Sequence, residues 1–103
     1  MKKHFCYKLS LNPRLYRNED WTENDIETVS IHFNYLKDLL AKKILFLAGR
    51  TVHEPMSDKD FGIAILEVDT IEEARTIMEN DPAIKGGIMT GELFEFSLAL
   101  FRD

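Results

Sequence analysis

The chain has one cysteine, Cys6, so no internal disulfide can staple it. That excludes the small disulfide-framed secreted folds and points to a reducing, cytoplasmic setting. Long apolar runs are also missing. The longest, Ile44 to Ala48, falls far short of the roughly 20 residues a membrane helix needs. A basic start, Met1-Lys2-Lys3, precedes an apolar stretch that Lys8 interrupts before it reaches the length of a signal-peptide core. Positive charge is scarce and scattered: 13 Lys and Arg against 18 Asp and Glu leave a net charge of −5. Phosphate backbones are repelled on average, so no nucleic-acid partner is expected. The three histidines include no pair at metal-ligand spacing, and we expect no metal site. Gly49-Arg50-Thr51 and Gly86-Gly87 lack the spacing of a phosphate-cradling loop, and no cofactor is expected.

What is present is the patterning of one folded domain over 1–103, with 45% hydrophobic residues. From Thr22 to Lys43, apolar residues Ile26, Val29, Phe33, Leu36 and Leu40 recur at steps of three and four, which predicts an amphipathic helix. Thr22 and Asp25 have the spacing of a capping box, and Trp21 and Ile26 that of a hydrophobic staple. His32 falls at the edge of the apolar stripe, half packed and half available.

Before this helix, His4 to Leu11 alternates, with Phe5, Tyr7, Leu9 and Leu11 on one face of a predicted strand. Asn12 to Asp20 reads as a long polar loop carrying Arg14. After the helix, Ile44 to Ala48 predicts a strand buried on both faces. An acidic loop, Val52 to Asp60, leads into a strand over Phe61 to Val68 that is apolar front and back. Thr70 to Asn80 predicts a second helix, capped by Thr70 and Glu73 and stopped before Pro82. Ile88 to Phe101 predicts a last extended segment, with Gly91 marking a bulge.

The order β-α-β-β-α-β predicts an α+β, ferredoxin-like fold: an antiparallel sheet with both helices on one face. Two helices cover only that face, yet the strands are apolar on the other side too. A homodimer packed sheet to sheet is therefore expected.

The candidate chemistry centres on His32 and Asp81. Asp81 follows the second helix and, with both helices on one side of the sheet, can approach His32. A carboxylate on one imidazole nitrogen would fix the tautomer and leave the other nitrogen as a base. The plainer readings are a packed histidine and a turn residue before proline.

His32-Phe33-Asn34-Tyr35-Leu36-Lys37, Leu47-Ala48-Gly49, Phe61-Gly62-Ile63-Ala64, Glu72-Glu73-Ala74 and Asp81-Pro82 followed by Gly87 resemble, in order and spacing, the YciI-like (YCII-related) family. The resemblance spans nearly the whole chain and implies a dimeric α+β barrel. It also implies a site in which the family's recurring His and Asp fall on His32 and Asp81. Some relatives act in dehydrochlorination of aromatic compounds. The chain departs from the pattern at Ala83-Ile84, where an aromatic usually follows Asp-Pro, and at Arg50, where proline is frequent. The expected function is a small-molecule lyase or isomerase using the His32–Asp81 pair for proton transfer. Arg14 and Arg50 are candidate contacts for an anionic substrate group. The alternative is a non-catalytic ligand-binding or structural homodimer.

Overall fold

The computed structural model describes residues 2–102. Its elements are β1 (Lys3–Leu11), α1 (Glu23–Ala41), β2 (Leu45–Arg50), β3 (Gly62–Val68), α2 (Ile71–Glu79), α3 (Pro82–Lys85) and β4 (Met89–Phe96). The strands form one antiparallel sheet in the order β2-β3-β1-β4, the crossover pattern of a ferredoxin-like fold. Phe5, Tyr7 and Leu9 of β1 and Ala64, Leu66 and Val68 of β3 face the helices. There they pack with Leu36 and Leu39 of α1 and with Ala74 and Met78 of α2. A second cluster of Leu15, Ala83 and Ile88 joins the long loop to α3. The loop is therefore not simply solvated: two 3-10 turns, Pro13–Leu15 and Asn18–Asp20, shape it, and Leu15 anchors it.

Helix α1 starts as its sequence predicts. Asp25 N–H donates to Thr22 Oγ1 at 3.1 Å, and Thr22 N–H donates to Asp25 Oδ2 at 2.9 Å. It ends in a Schellman motif: Ile44 N–H reaches Leu39 O at 2.9 Å and Lys43 N–H reaches Leu40 O at 3.1 Å, with Lys43 at φ 64°. The inward face differs from the expected stripe. Asp25, His32, Leu36 and Leu39 are buried, whereas Ile26, Phe33 and Leu40 are 59%, 61% and 53% exposed. Both inward polar groups are matched: Asp25 by Arg14 and the Thr22 N–H, His32 by Asp81. In place of a staple with Ile26, Trp21 packs on the Leu15 cluster and donates Nε1–H to Leu15 O at 2.9 Å.

Three further expectations are corrected. Strand β2 is an edge strand, and only Leu45 in it is buried. A short apolar run cannot by itself distinguish a central strand from an edge that exposes its apolar face. Gly91 marks no bulge, because β1 and β4 pair without interruption from His4↔Phe96 to Leu11↔Met89. Gly91 instead makes room for side-chain tips: a Cβ there would lie 2.7 Å from Ile84 Cδ1 and 2.9 Å from Met78 Sδ. Finally, β4 stops at Phe96, and the chain from 97 to 102 forms no strand.

The sheet face opposite the helices carries exposed Leu47, Phe61, Phe94 and Phe96. Among these apolar groups, Lys8 Nζ sits 5.1 Å from the Phe61 ring centre and His4 Nε2 pairs with Glu67 Oε2 at 3.0 Å. Cys6 is half-buried on the same face, and burial pushes its thiol pKa up.

Candidate active site

The site lies where α1 crosses the start of α3. Asp81 is the N-cap of α3, a short helix that the sequence pattern does not predict. Asn80 ends α2, and Pro82 then opens a new helix, a position where its missing N–H costs nothing. Asp81 Oδ1 accepts Ala83 N–H at 2.9 Å. The carboxyl is fully buried, yet it is not capping alone. His32 Nδ1 lies 2.6 Å from Asp81 Oδ1, and the Tyr7 hydroxyl donates to Oδ2 at 2.8 Å. Three groups thus converge on one carboxyl. As an acceptor-only carboxylate it requires Nδ1 to carry the proton, which leaves the Nε2 lone pair bare. No hydrogen bond to Nε2 is made among the described residues.

Tyr7 is the partner of Asp81 that sequence reasoning missed. Alternation placed it on the inward face of β1, correctly, but as an apolar core residue. Its hydroxyl was the available signal, since a buried phenol needs a partner. Burial first, then the neighbouring Asp81 charge and hydrogen bond, hold its pKa far above the usual tyrosine range. Its hydroxyl is a donor to Asp81 Oδ2 at neutral pH. Nearby, Tyr35 donates its hydroxyl to Ile77 O at 2.7 Å, and burial followed by Asp81 raises its pKa as well. Among the described residues, no buried side-chain nitrogen or oxygen lacks a partner.

On its other side His32 borders a cavity of about 540 Å³, within the size range of small-molecule sites. Trp21, Phe33, Leu36 and Met89 contribute apolar wall, and Asn18, Arg50, Thr51 and Asp60 contribute the polar groups. Asp60 is committed to its own loop: it accepts Thr51 Oγ1–H at 2.9 Å and Ser57 N–H at 3.1 Å. Arg50 is exposed and makes only a 3.4 Å contact to Thr51 O, so its guanidinium is open to a ligand. Arg14 is elsewhere. Its two terminal nitrogens grip Asp25 Oδ2 and Oδ1 at 2.9 and 2.8 Å, which ties the long loop to the first turn of α1. That bidentate pair, with the Thr22 N–H behind it, holds the Asp25 carboxyl well below the usual carboxylate range. Of the expected site residues, His32 and Arg50 line one cavity, Asp81 lies buried behind His32, and Arg14 belongs to a separate clamp. No group of three or more His, Cys, Asp or Glu that could hold a metal occurs among the described residues.

A larger cavity of about 640 Å³ lies at the open sheet face, between His4, Phe46, Phe96 and Phe101. It does not reach His32.

Fold and site together define a ferredoxin-like α+β domain with a histidine–carboxylate pair beside a cavity. The family follows from the sequence itself: residues 14–97 match the YCII-related domain, and the chain belongs to that family. None of the curated proteins compared matches it. Among solved structures, the chain is similar to a 5-chloro-2-hydroxyhydroquinone dehydrochlorinase from Burkholderia phenoliruptrix, in complex with 2,5-dihydroxybenzoquinone. The TM-score is 0.68 at 22% identity, with 93% of this chain and 95% of that one covered. At that identity the likeness supports the fold. No helix in the described residues is long and apolar enough to cross a membrane.

Proposed function

We propose that this protein is a small-molecule lyase or isomerase that moves a proton through the His32–Asp81 pair. The observation that carries the reading is the 2.6 Å contact between His32 Nδ1 and Asp81 Oδ1, made by an imidazole that borders the cavity. In the reaction, His32 Nε2 takes a proton from a carbon next to a carbonyl. The electron pair moves into that carbonyl, and Arg50 neutralises the oxyanion. A lyase then expels a leaving group from the adjacent carbon; an isomerase returns the proton to a different atom. Asp81 keeps the proton on Nδ1 and stabilises the imidazolium that forms.

The cavity's mostly apolar wall suits a small ring carrying one or two oxygens. The ring named in the similar dehydrochlorinase supports that class of substrate. Arg14 keeps the loop that carries Asn18 in place. The protein works as a homodimer joined through its open sheet face, whose exposed Leu47, Phe61, Phe94 and Phe96 support that assembly. Its place of action is the cytoplasm. Sedimentation at micromolar concentration should give twice the chain's 12.0 kDa; a strict monomer would refute the dimer.

A binding-only protein is the second reading, and the observation on its side is that His32 is just 8% exposed. The deciding experiment is a turnover screen of small cyclic acids, lactones and hydroxylated rings, with deuterium exchange from D2O into the substrate as a second readout. His32→Ala should lower turnover or exchange about 10² to 10⁴-fold. Binding without exchange, or activity indifferent to His32→Ala, overturns the enzyme reading.

A further inference from the structure

We propose that Tyr7 is a positioning residue: its hydroxyl fixes Asp81 Oδ2 and so holds Oδ1 against His32 Nδ1, keeping Nε2 as the atom that exchanges protons. The inference rests on His32 being the proton-transfer group.

The geometry separates aiming from capping. For capping α3, the Ala83 N–H on Oδ1 at 2.9 Å suffices, and an Asx side chain does this with its second oxygen free to turn. Here the second oxygen is not free. Tyr7 sits in a central strand with Ala64 opposite it on β3 and Leu93 opposite it on β4, and its ring is fully buried. Its hydroxyl therefore approaches Oδ2 from a fixed direction at 2.8 Å. The carboxylate plane is pinned at both ends, and the remaining direction on Oδ1 is taken by His32. A phenylalanine would fill nearly the same volume without a hydroxyl to desolvate. The hydroxyl's presence needs a use, and its bond to Asp81 is that use.

Tyr7 also draws charge out of the carboxylate. A donor on Oδ2 makes Asp81 a weaker partner for the imidazolium, so it restrains how strongly His32 holds its proton. The charged or titratable groups facing His32 are Asp81, then Tyr7 and Tyr35 near that carboxylate, and Arg50 and Asp60 across the cavity. Asp25, two turns earlier on α1, is paired with Arg14 of the preceding loop. Each of these except Tyr7 is unchanged by the following test.

His32 is titrated by NMR in the parent protein, in Tyr7→Phe, and in a protein with 3-fluorotyrosine placed at position 7. Removing the donor should raise the His32 midpoint by about half to one pH unit. The more acidic fluorophenol is a stronger donor and should lower it. Opposite displacements support the proposal, since loss of packing alone would not reverse sign. Midpoints that stay put in both, or move in the same direction, overturn it. Should Tyr7→Phe fail to fold, the fluorotyrosine protein decides alone, because it keeps the hydroxyl and its bond to Asp81 and adds one small ring fluorine that makes that hydroxyl more acidic. The titration needs no substrate, so a turnover screen that finds nothing would remove the enzyme reading and leave this result standing.

Discussion

Replacing Asp81 by alanine and by asparagine distinguishes a load of buried hydrogen bonds from a charge. The alanine variant removes the acceptor for the Tyr7 hydroxyl, His32 Nδ1 and Ala83 N–H, and with it the N-cap of α3. A buried donor left without a partner costs about 1–3 kcal/mol, and a lost N-cap about 1 kcal/mol. Some relaxation toward the cavity recovers part of this for His32. A net loss of about 3–5 kcal/mol is expected, a large share of the roughly 5–15 kcal/mol that holds a domain of this size together. In a chain of this length that corresponds to a melting temperature lower by about 15 to 30 °C. Asparagine keeps the cap, and its oxygen can accept from both Ala83 and His32 while the Tyr7 hydroxyl turns to accept from its amide. Only the charge assistance is lost, about 1–2 kcal/mol. Urea unfolding at one fixed protein concentration measures both, since a dimer's stability depends on concentration. Without the carboxylate, the imidazolium loses its counter-charge, and the His32 midpoint should fall in Asp81→Asn. An alanine variant within about 1 kcal/mol of the parent, or an unmoved His32 titration in the asparagine variant, would refute the buried network.

Lys43 holds φ 64° at the end of α1, where glycine is the residue of least strain; Lys43→Gly should stabilise the protein by about 0.5–1 kcal/mol, read as a higher urea midpoint. Asp25, whose pKa is lowered by Arg14 and the Thr22 N–H, contributes stability that is complete above the ordinary carboxylate value of about 3.9 and is lost as pH falls below it. Urea midpoints measured between neutral pH and about 2.5 should therefore drop less steeply in Asp25→Asn than in the parent. Tyr7 and Tyr35 have raised pKa values, so their contribution is complete below about pH 10 and is lost as pH rises beyond it; the parent should lose more stability there than a Tyr7→Phe variant. Arg50→Gln should raise KM for an anionic substrate about 10 to 100-fold with a smaller change in kcat, measured on any substrate the screen identifies.

The topology was legible because its signals are local. Alternation in His4 to Leu11, the Thr22 capping box and the Asn80 stop each depend on neighbours a few residues apart, and each is present in the fold. The His32–Asp81 pair was legible as far as topology reaches, since placing both helices on one face brings the end of one near the side of the other. Tyr7 was not, because its bond to Asp81 spans 74 residues and no spacing rule reports on such a separation. Arg14 could not be separated from Arg50 by type or charge. What separates them is that a bidentate carboxylate stands in front of one and open cavity in front of the other.

The misread face of α1 has the most physical content. Apolar spacing picks the stripe Ile26, Val29, Phe33, Leu36 and Leu40 because it assumes that burial follows hydrophobicity, and on most helices it does. Leu36 is buried as that spacing expects, whereas Ile26, Phe33 and Leu40 are exposed. Here the helix is turned so that Asp25 and His32 go inside and those three side chains go out, a loss of apolar burial along the length of the helix. That rotation is stable only because each inward polar group is matched: Asp25 by the Arg14 fork and the Thr22 N–H, His32 by Asp81. Locally the sequence and the fold disagree, and such a disagreement concentrates where a chain has given up packing for chemistry. Two observations bear on what was gained. The displaced Phe33 forms part of the wall of the cavity, and the residue drawn inward at its expense is the imidazole that borders it. The same turn that leaves Ile26, Phe33 and Leu40 exposed sets His32 against Asp81.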